Sequence, residues 1–246
     1  MSLLLGKKIL VTGASSGIGR SVCHEIHQQD GAVIGVARDK GRLKSAFQSL
    51  GGDRNSFRSF DVANFEGYAE FVKTLEPLDG LVHSAGTPSL LPLRNVRKSD
   101  LDETLHVLLY APILFTLELL RSKKLKEGAS VVFLSSSAAL AQRKAQMPYA
   151  IAKSSLLIAA RCMTHELSSR YKIRFNAVMP GLVKSPVLQE IERMVGAEKL
   201  QQAINEYPLG LGRPQDVASL ISFLLSDRSR WISGSSFLID GGRLCR

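Results

Sequence analysis

The chain has 246 residues, 45% of them hydrophobic and 22% charged, with a formal net charge of +10. That length supports one α/β domain with a large core, and no Pro-, Ser- or Gly-rich stretch, internal repeat or apolar run of membrane-spanning length divides it. The 32 Lys and Arg residues are scattered, with neither a recognition motif nor a basic-aromatic stripe, so the charge reads as solvated faces and argues against nucleic acid and membrane as partners.

In chain order, mostly apolar runs predict strands over 7–12, 32–37, 56–60, 79–83, 130–135, 173–178 and 236–239. Helical stretches fall between them over 17–29, 39–50, 64–75, 99–122, 147–171 and 214–226, and 185–207 reads as a mobile segment. This alternation predicts right-handed βαβ crossovers and a Rossmann-like, doubly wound, seven-stranded parallel sheet with helices on both faces. It forms one domain over 1–246, with the ligand crevice beyond the carboxyl ends of the strands. Gly13, Arg38, Asp61, Gly86 and Ser136 all fall just past such ends. The start, Met1-Ser2-Leu3-Leu4-Leu5-Gly6-Lys7, lacks the charged segment and long apolar core of a signal peptide, and a cytoplasmic protein is expected. Cys23, Cys162 and Cys245 have no metal-ligand spacing and read as reduced thiols, so no metal site is expected.

Two segments carry chemistry. The first is Gly13-Ala14-Ser15-Ser16-Gly17-Ile18-Gly19, a turn from the first strand into a helix. Its glycines let the backbone approach a pyrophosphate, whose charge is stabilised by free amide groups and the positive end of the helix. The second is Tyr149-Ala150-Ile151-Ala152-Lys153, with Ser136 thirteen residues upstream of the tyrosine. In a helix over 147–171, Tyr149 and Lys153 are i and i+4 and share a face. A phenol has a reference pKa of about 10 and needs a nearby cation to exchange a proton near neutral pH; Lys153 can be that cation. Ser136 on a neighbouring strand end can hold a carbonyl oxygen beside the phenol.

These stretches, with Asp61-Val62, Ala85-Gly86, Asn176-Ala177-Val178-Met179-Pro180-Gly181, Arg213-Pro214-x-Asp216-Val217-Ala218 and Gly234 with Asp240-Gly241-Gly242, occur in an order that resembles the short-chain dehydrogenase/reductase family over nearly the whole chain. The likeness is to its single-domain branch, and the chain is similar to 3-oxoacyl-[acyl-carrier-protein] reductases. The resemblance implies an NADP(H)-dependent oxidoreductase acting on CH–OH groups. Ser136 would stabilise the carbonyl, Tyr149 would act as acid/base, and Lys153 would lower the phenol's pKa and bind the nicotinamide ribose. Gly13, Ser15, Ser16, Gly17, Ile18 and Gly19 would hold the pyrophosphate, with Ala85 and Gly86 in the same cofactor-binding set. Asp61 and Val62 would flank the adenine, Pro180, Gly181 and Val183 would lie against the nicotinamide, and Ser185 stands where a threonine often holds its amide. Ala37 occupies the place of the acid that binds NAD ribose hydroxyls, and Arg38 follows where similar sequences pair with the 2′-phosphate of NADP.

The chain departs from the family pattern twice. His83-Ser84-Ala85-Gly86 replaces Asn-Asn-Ala-Gly, and Leu108 stands in place of a helical asparagine that holds a water leading to the catalytic lysine. Leucine cannot hydrogen-bond water, so His106, Ser84 or backbone carbonyls become the candidates for that relay. Leu140, Met147, Val187, Leu188 and Ile191 are candidates for an apolar substrate pocket or for core. Basic clusters at Arg94, Arg97 and Lys98, at 121–126, at Arg143-Lys144, and at Arg170, Lys172 and Arg174 suit an anionic or carrier-bound substrate. Three readings stay open: a 3-oxoacyl thioester reductase, a reductase of another ketone or sugar-like alcohol, and an NADP-binding regulatory or scaffold protein with little activity. The apolar stretches 105–120 and 147–171, which pair across a two-fold axis in similar proteins, predict a homodimer or homotetramer.

Overall fold

The computed structural model describes residues 2–88 and 90–245. Its elements, in chain order, are β1 Lys8–Thr12, α1 Gly17–Gln28, β2 Ala32–Ala37, α2 Lys40–Gln48, β3 Ser56–Ser59, α3 Tyr68–Lys73 and β4 Leu78–His83, then α4 Lys98–Leu105, α5 Ala111–Arg121, β5 Leu125–Leu134 and α6 Met147–Tyr171. They continue with β6 Arg174–Pro180, α7 Pro186–Val195, α8 Ala197–Ile204, α9 Pro214–Leu225 and β7 Ser236–Ile239. The strands form a single parallel seven-stranded sheet in the order β3-β2-β1-β4-β5-β6-β7. Strand order reverses between β1 and β4, and a crevice opens there because the crossovers leave in opposite directions.

Successive strand side chains point to opposite faces. Ile9, Val11, Val82, Val132 and Val178 pack beneath α1, α2 and α9, while Leu10, Leu81, Val131, Phe133 and Phe175 pack beneath α3, α5 and α6. Both faces of the central strands are covered, which is why those strands read as continuous apolar runs rather than alternating ones. Each fully buried side chain of this size contributes about 1.5–3 kcal/mol.

Several segments differ from expectation. Segment 185–207 is largely the two helices α7 and α8, divided by Gly196 at φ +88°, and no residue of α7 is fully buried. Strand β5 begins at Leu125, ahead of the expected 130, with an irregular register against β4 that Gly128 at φ +79° accommodates. The helix expected over 99–122 is α4 and α5 joined by a π turn, His106–Tyr110. The cause is residue 112, a proline: it has no N–H for the Leu108 carbonyl and its ring crowds that carbonyl, so the ladder widens and the Ala111 N–H reaches His106 O instead. Taken whole, Lys98–Arg121 is 24 residues of sufficient length and apolarity to cross a membrane, contrary to the expectation that no run reaches that length. Phe115, Thr116 and Leu119 on it are buried in the core, while Tyr110 and Leu114 are exposed.

One expected basic cluster is broken up by burial. Arg174 lies inside, its Nη2 donating to Leu224 O at 2.8 Å and Ser226 O at 3.2 Å, and its Nη1 to Ile232 O at 3.2 Å. It satisfies carbonyls at and beyond the end of α9 and is not available to a partner. At the opposite extreme, Trp231, between α9 and β7, is 92% exposed.

Candidate active site

The glycine turn is forced by backbone geometry. Gly13 and Gly17 adopt φ +70° and +52°, and a Cβ on Gly13 would come within 2.7 Å of Ser84 O. Thr12 Oγ1 locks this approach by accepting from Ser84 N at 3.1 Å and Ala85 N at 3.3 Å, which ties the ends of β1 and β4 together. Helix α1 then starts with no side-chain cap and no acidic residue in its first turn. Its leading N–H groups and dipole face a groove of about 710 Å³ lined in part by Ser15, Ser16, Gly17 and Ser185.

Ser136, Tyr149 and Lys153 gather at the same edge of the sheet. Ser136 follows the end of β5 and accepts from Ala138 N at 3.2 Å, which opens a short 3₁₀ turn. Tyr149 lies in the first turn of α6 and Lys153 one turn on, with Lys153 Nζ 5.8 Å from the phenol ring centre. Lys153 is buried, and its Nζ donates to Leu134 O at 2.7 Å, while Ser135 Oγ donates to Lys153 O at 2.7 Å. Burial lowers the Lys153 ammonium to about 8. Burial also pushes the Tyr149 phenol above the ordinary tyrosine range, and the Ser136 hydroxyl offsets part of that rise. The expected lowering of the phenol by Lys153 is therefore not what this arrangement gives, because desolvation dominates at both groups.

Leu108 is inward-facing and nearly fully buried on the π turn, packed so closely on Gly86 that a Cβ there would collide with it. Neither side chain expected to replace a polar group at that position lines the cavity beside Lys153, although a backbone carbonyl, the third candidate, does reach Lys153 in Leu134 O. His106 Nε2 contacts Ala63 O at 3.0 Å and its ring stacks on Phe65 at 4.1 Å, and Ser84 Oγ faces Gly19. Behind Leu108 is instead His83, buried, stacked on Phe133 at 5.3 Å, with Nε2 2.8 Å from Thr116 Oγ1.

The remaining sites fall as follows. Arg38 is exposed past β2, and Asp39, rather than pairing with it, caps α2 by accepting from Arg42 N at 2.9 Å. Asp61 accepts from Ala63 N at 2.9 Å in the turn after β3. Val62 and Ala85 line a small cavity beside Lys153. Pro180 ends β6, Gly181 N donates to Ile239 O at 2.9 Å, and Val183 is buried and bridged to Gly212. Ile18 packs against the core below the glycine turn.

A family model described as enoyl-(acyl carrier protein) reductase matches residues 13–243. The chain belongs to the short-chain dehydrogenase/reductase family. This is a family of nicotinamide-dependent oxidoreductases. The chain is 30% identical to the 3-oxoacyl-[acyl-carrier-protein] reductase FabG of Rickettsia prowazekii and 32% identical to the L-xylulose reductase of Bos taurus, covering 98% of each chain in both cases. Among solved structures it resembles a short-chain dehydrogenase/reductase described as glucose/ribitol dehydrogenase from Brucella melitensis, with TM-score 0.89, 26% identity and 98% of each chain covered.

Within this family fold, sequence reasoning missed what closes the rim of the site. Glu206, after α8, takes Arg143 Nη2 at 2.5 Å and Arg243 Nε at 3.0 Å. Tyr207 OH accepts from Leu182 N at 3.0 Å. These ties join residues 63, 37 and 25 apart in sequence, so no local pattern announces them. Exposed Leu140 and Met147 flank Ser136 and Tyr149 in the chain, and Val187, Leu188 and Ile191 on α7 are only half-buried, so none of these apolar side chains is spent on the core.

Proposed function

We propose that this protein is an NADP(H)-dependent reductase that interconverts a carbonyl and a secondary alcohol, with an apolar substrate of the 3-oxoacyl thioester kind as the favoured class. The observation that carries the reading is the convergence of Ser136, Tyr149 and Lys153 at the carboxyl edge of the sheet, beside uncommitted apolar side chains. The FabG likeness supports the thioester class, and the L-xylulose reductase likeness supports a sugar-like alcohol as the second.

The residues present fit a dinucleotide. The uncapped α1 terminus and the close-packed Gly13 and Gly19 suit a pyrophosphate, and Ala37 rather than an acid ends β2, with Arg38 exposed after it. Bound there, the cofactor supplies a hydride donor or acceptor. The Ser136 hydroxyl donates to the substrate oxygen, the Tyr149 hydroxyl gives its proton to that oxygen as alkoxide charge develops, and Lys153 holds the cofactor ribose beside the phenol. Asp61, Val62, Ala85, Gly86, Pro180, Gly181, Val183 and Ser185 complete the cofactor side.

A panel of 3-oxoacyl thioesters, ketones and ketoses with NADPH, followed by absorbance, tests this. Turnover of at least one carbonyl is expected, and Tyr149→Phe should reduce it at least about a hundredfold while NADPH still binds. NADPH binding without turnover across the panel would instead leave a regulatory or scaffold protein.

A further inference from the structure

The cavity beside Lys153 has about 10 Å³ of room for water centres, enough for a single water molecule. Its walls are mostly apolar, from Val62, Val107, Leu108, Leu134 and Leu156. Against that lining stand two titratable side chains, Lys153 on α6 and His83 at the end of β4, with Tyr149 beyond Lys153. Leu108 and Pro112 border the same space, and the Leu108 carbonyl has no N–H donor from residue 112.

Hydrogen bonding fixes the tautomer of His83. The single hydroxyl proton of Thr116 goes to Pro112 O at 2.7 Å, so Thr116 Oγ1 can only accept from His83, and Nε2 carries the ring proton. That leaves Nδ1 as a bare lone pair, with no hydrogen-bond partner among the described residues. We propose that His83, held by Thr116 and the Phe133 ring, is a positioning residue for Lys153: its Nδ1 accepts from one water in this cavity, and that water accepts from Lys153 Nζ. It does from β4 what the Leu108 side chain cannot do. This rests on the reductase reading for its effect on turnover, though not for its effect on Lys153 itself. Burial and the Lys153 charge lower the imidazole to about 3, so His83 stays neutral at working pH and acts as an acceptor rather than as a proton carrier.

The test compares His83→Leu, which keeps bulk but has no acceptor, with His83→Gln, which restores one. Lys153 is titrated by NMR in each protein, and kcat and KM are measured on the best panel substrate. Expected for His83→Leu is a fall of about one unit in the Lys153 midpoint and of about tenfold or more in kcat with little change in carbonyl KM, and His83→Gln should recover most of both. Thr116→Val, which keeps the ring but removes the partner that fixes its tautomer, should move the midpoint the same way by less, and serves if His83→Leu does not fold. An unchanged midpoint in His83→Leu or, failing that, in Thr116→Val overturns the proposal, as does equal damage from Leu and Gln. A midpoint that responds in a protein showing no turnover upholds the positioning role and overturns the reductase reading alone.

Discussion

At the scale of single residues, burial decides the charge states of the site. The unfolded chain holds its histidines near about 6.5, whereas buried His83 is lowered to about 3. Below pH 6.5 the unfolded state therefore takes up a proton that the folded state refuses. The stability His83 contributes is whole above that value and is lost as pH falls toward 3, by at most about 1.4 kcal/mol per unit. Lys153, lowered to about 8, acts in the same sense at the other end: burying its charge weakens the fold below pH 8, and the cost is relieved as pH rises toward 10.5. Urea midpoints at pH 7 and pH 5 should differ for the natural protein and differ less for His83→Gln; identical slopes would contradict this. Arg38 bears on a different choice. A charge-assisted contact to a phosphate is worth about 1–3 kcal/mol, so NADPH should bind about tenfold or more tighter than NADH, and Arg38→Ala should remove most of that gap. Equal affinities in the natural protein would count against Arg38 as the phosphate contact.

At the scale of elements, the π turn governs the most unusual position in the chain. Leu108→Asn supplies a polar side chain where family resemblance expects one, but it also removes a buried leucine packed on Gly86, at a cost of about 2 kcal/mol or more. With His83 and Lys153 already lining one cavity, the folded variant should gain less than about tenfold in kcat, as judged by turnover alongside a thermal melt; a far larger gain would mean the natural site is nearly silent. Much of this was legible beforehand. The central strands are buried on both faces, so their apolar runs stand out, whereas the break that Pro112 makes in the ladder was missed, because apolar spacing runs on across it and 99–122 reads as one helix. Helices α7 and α8 were harder to read. Val187, Leu188 and Ile191 have helical spacing, yet they pack partway under a rim and Gly196 cuts the pattern short. The place of His83 was not legible either, because its meaning lies in Thr116, thirty-three residues away on another element.

At the scale of the whole molecule, the outward faces of the π turn, α5 and α6 carry exposed Tyr110, Leu114, Ile151 and Ile158. Exposed apolar side chains on these helices favour self-association through a two-fold axis. The expected result is a dimer or tetramer by light scattering at micromolar concentration, shifted toward monomer by Ile158→Glu; a monomeric natural protein would contradict it.

The chain's only tryptophan is Trp231, at 92% exposure. All of its indole emission therefore comes from a ring already in water. Unfolding changes that environment little, so tryptophan fluorescence is a poor witness to denaturation here, and melts are better followed by circular dichroism. The same blindness makes the ring a clean reporter of contact: a blue shift that grows with protein concentration can come only from another surface settling on it.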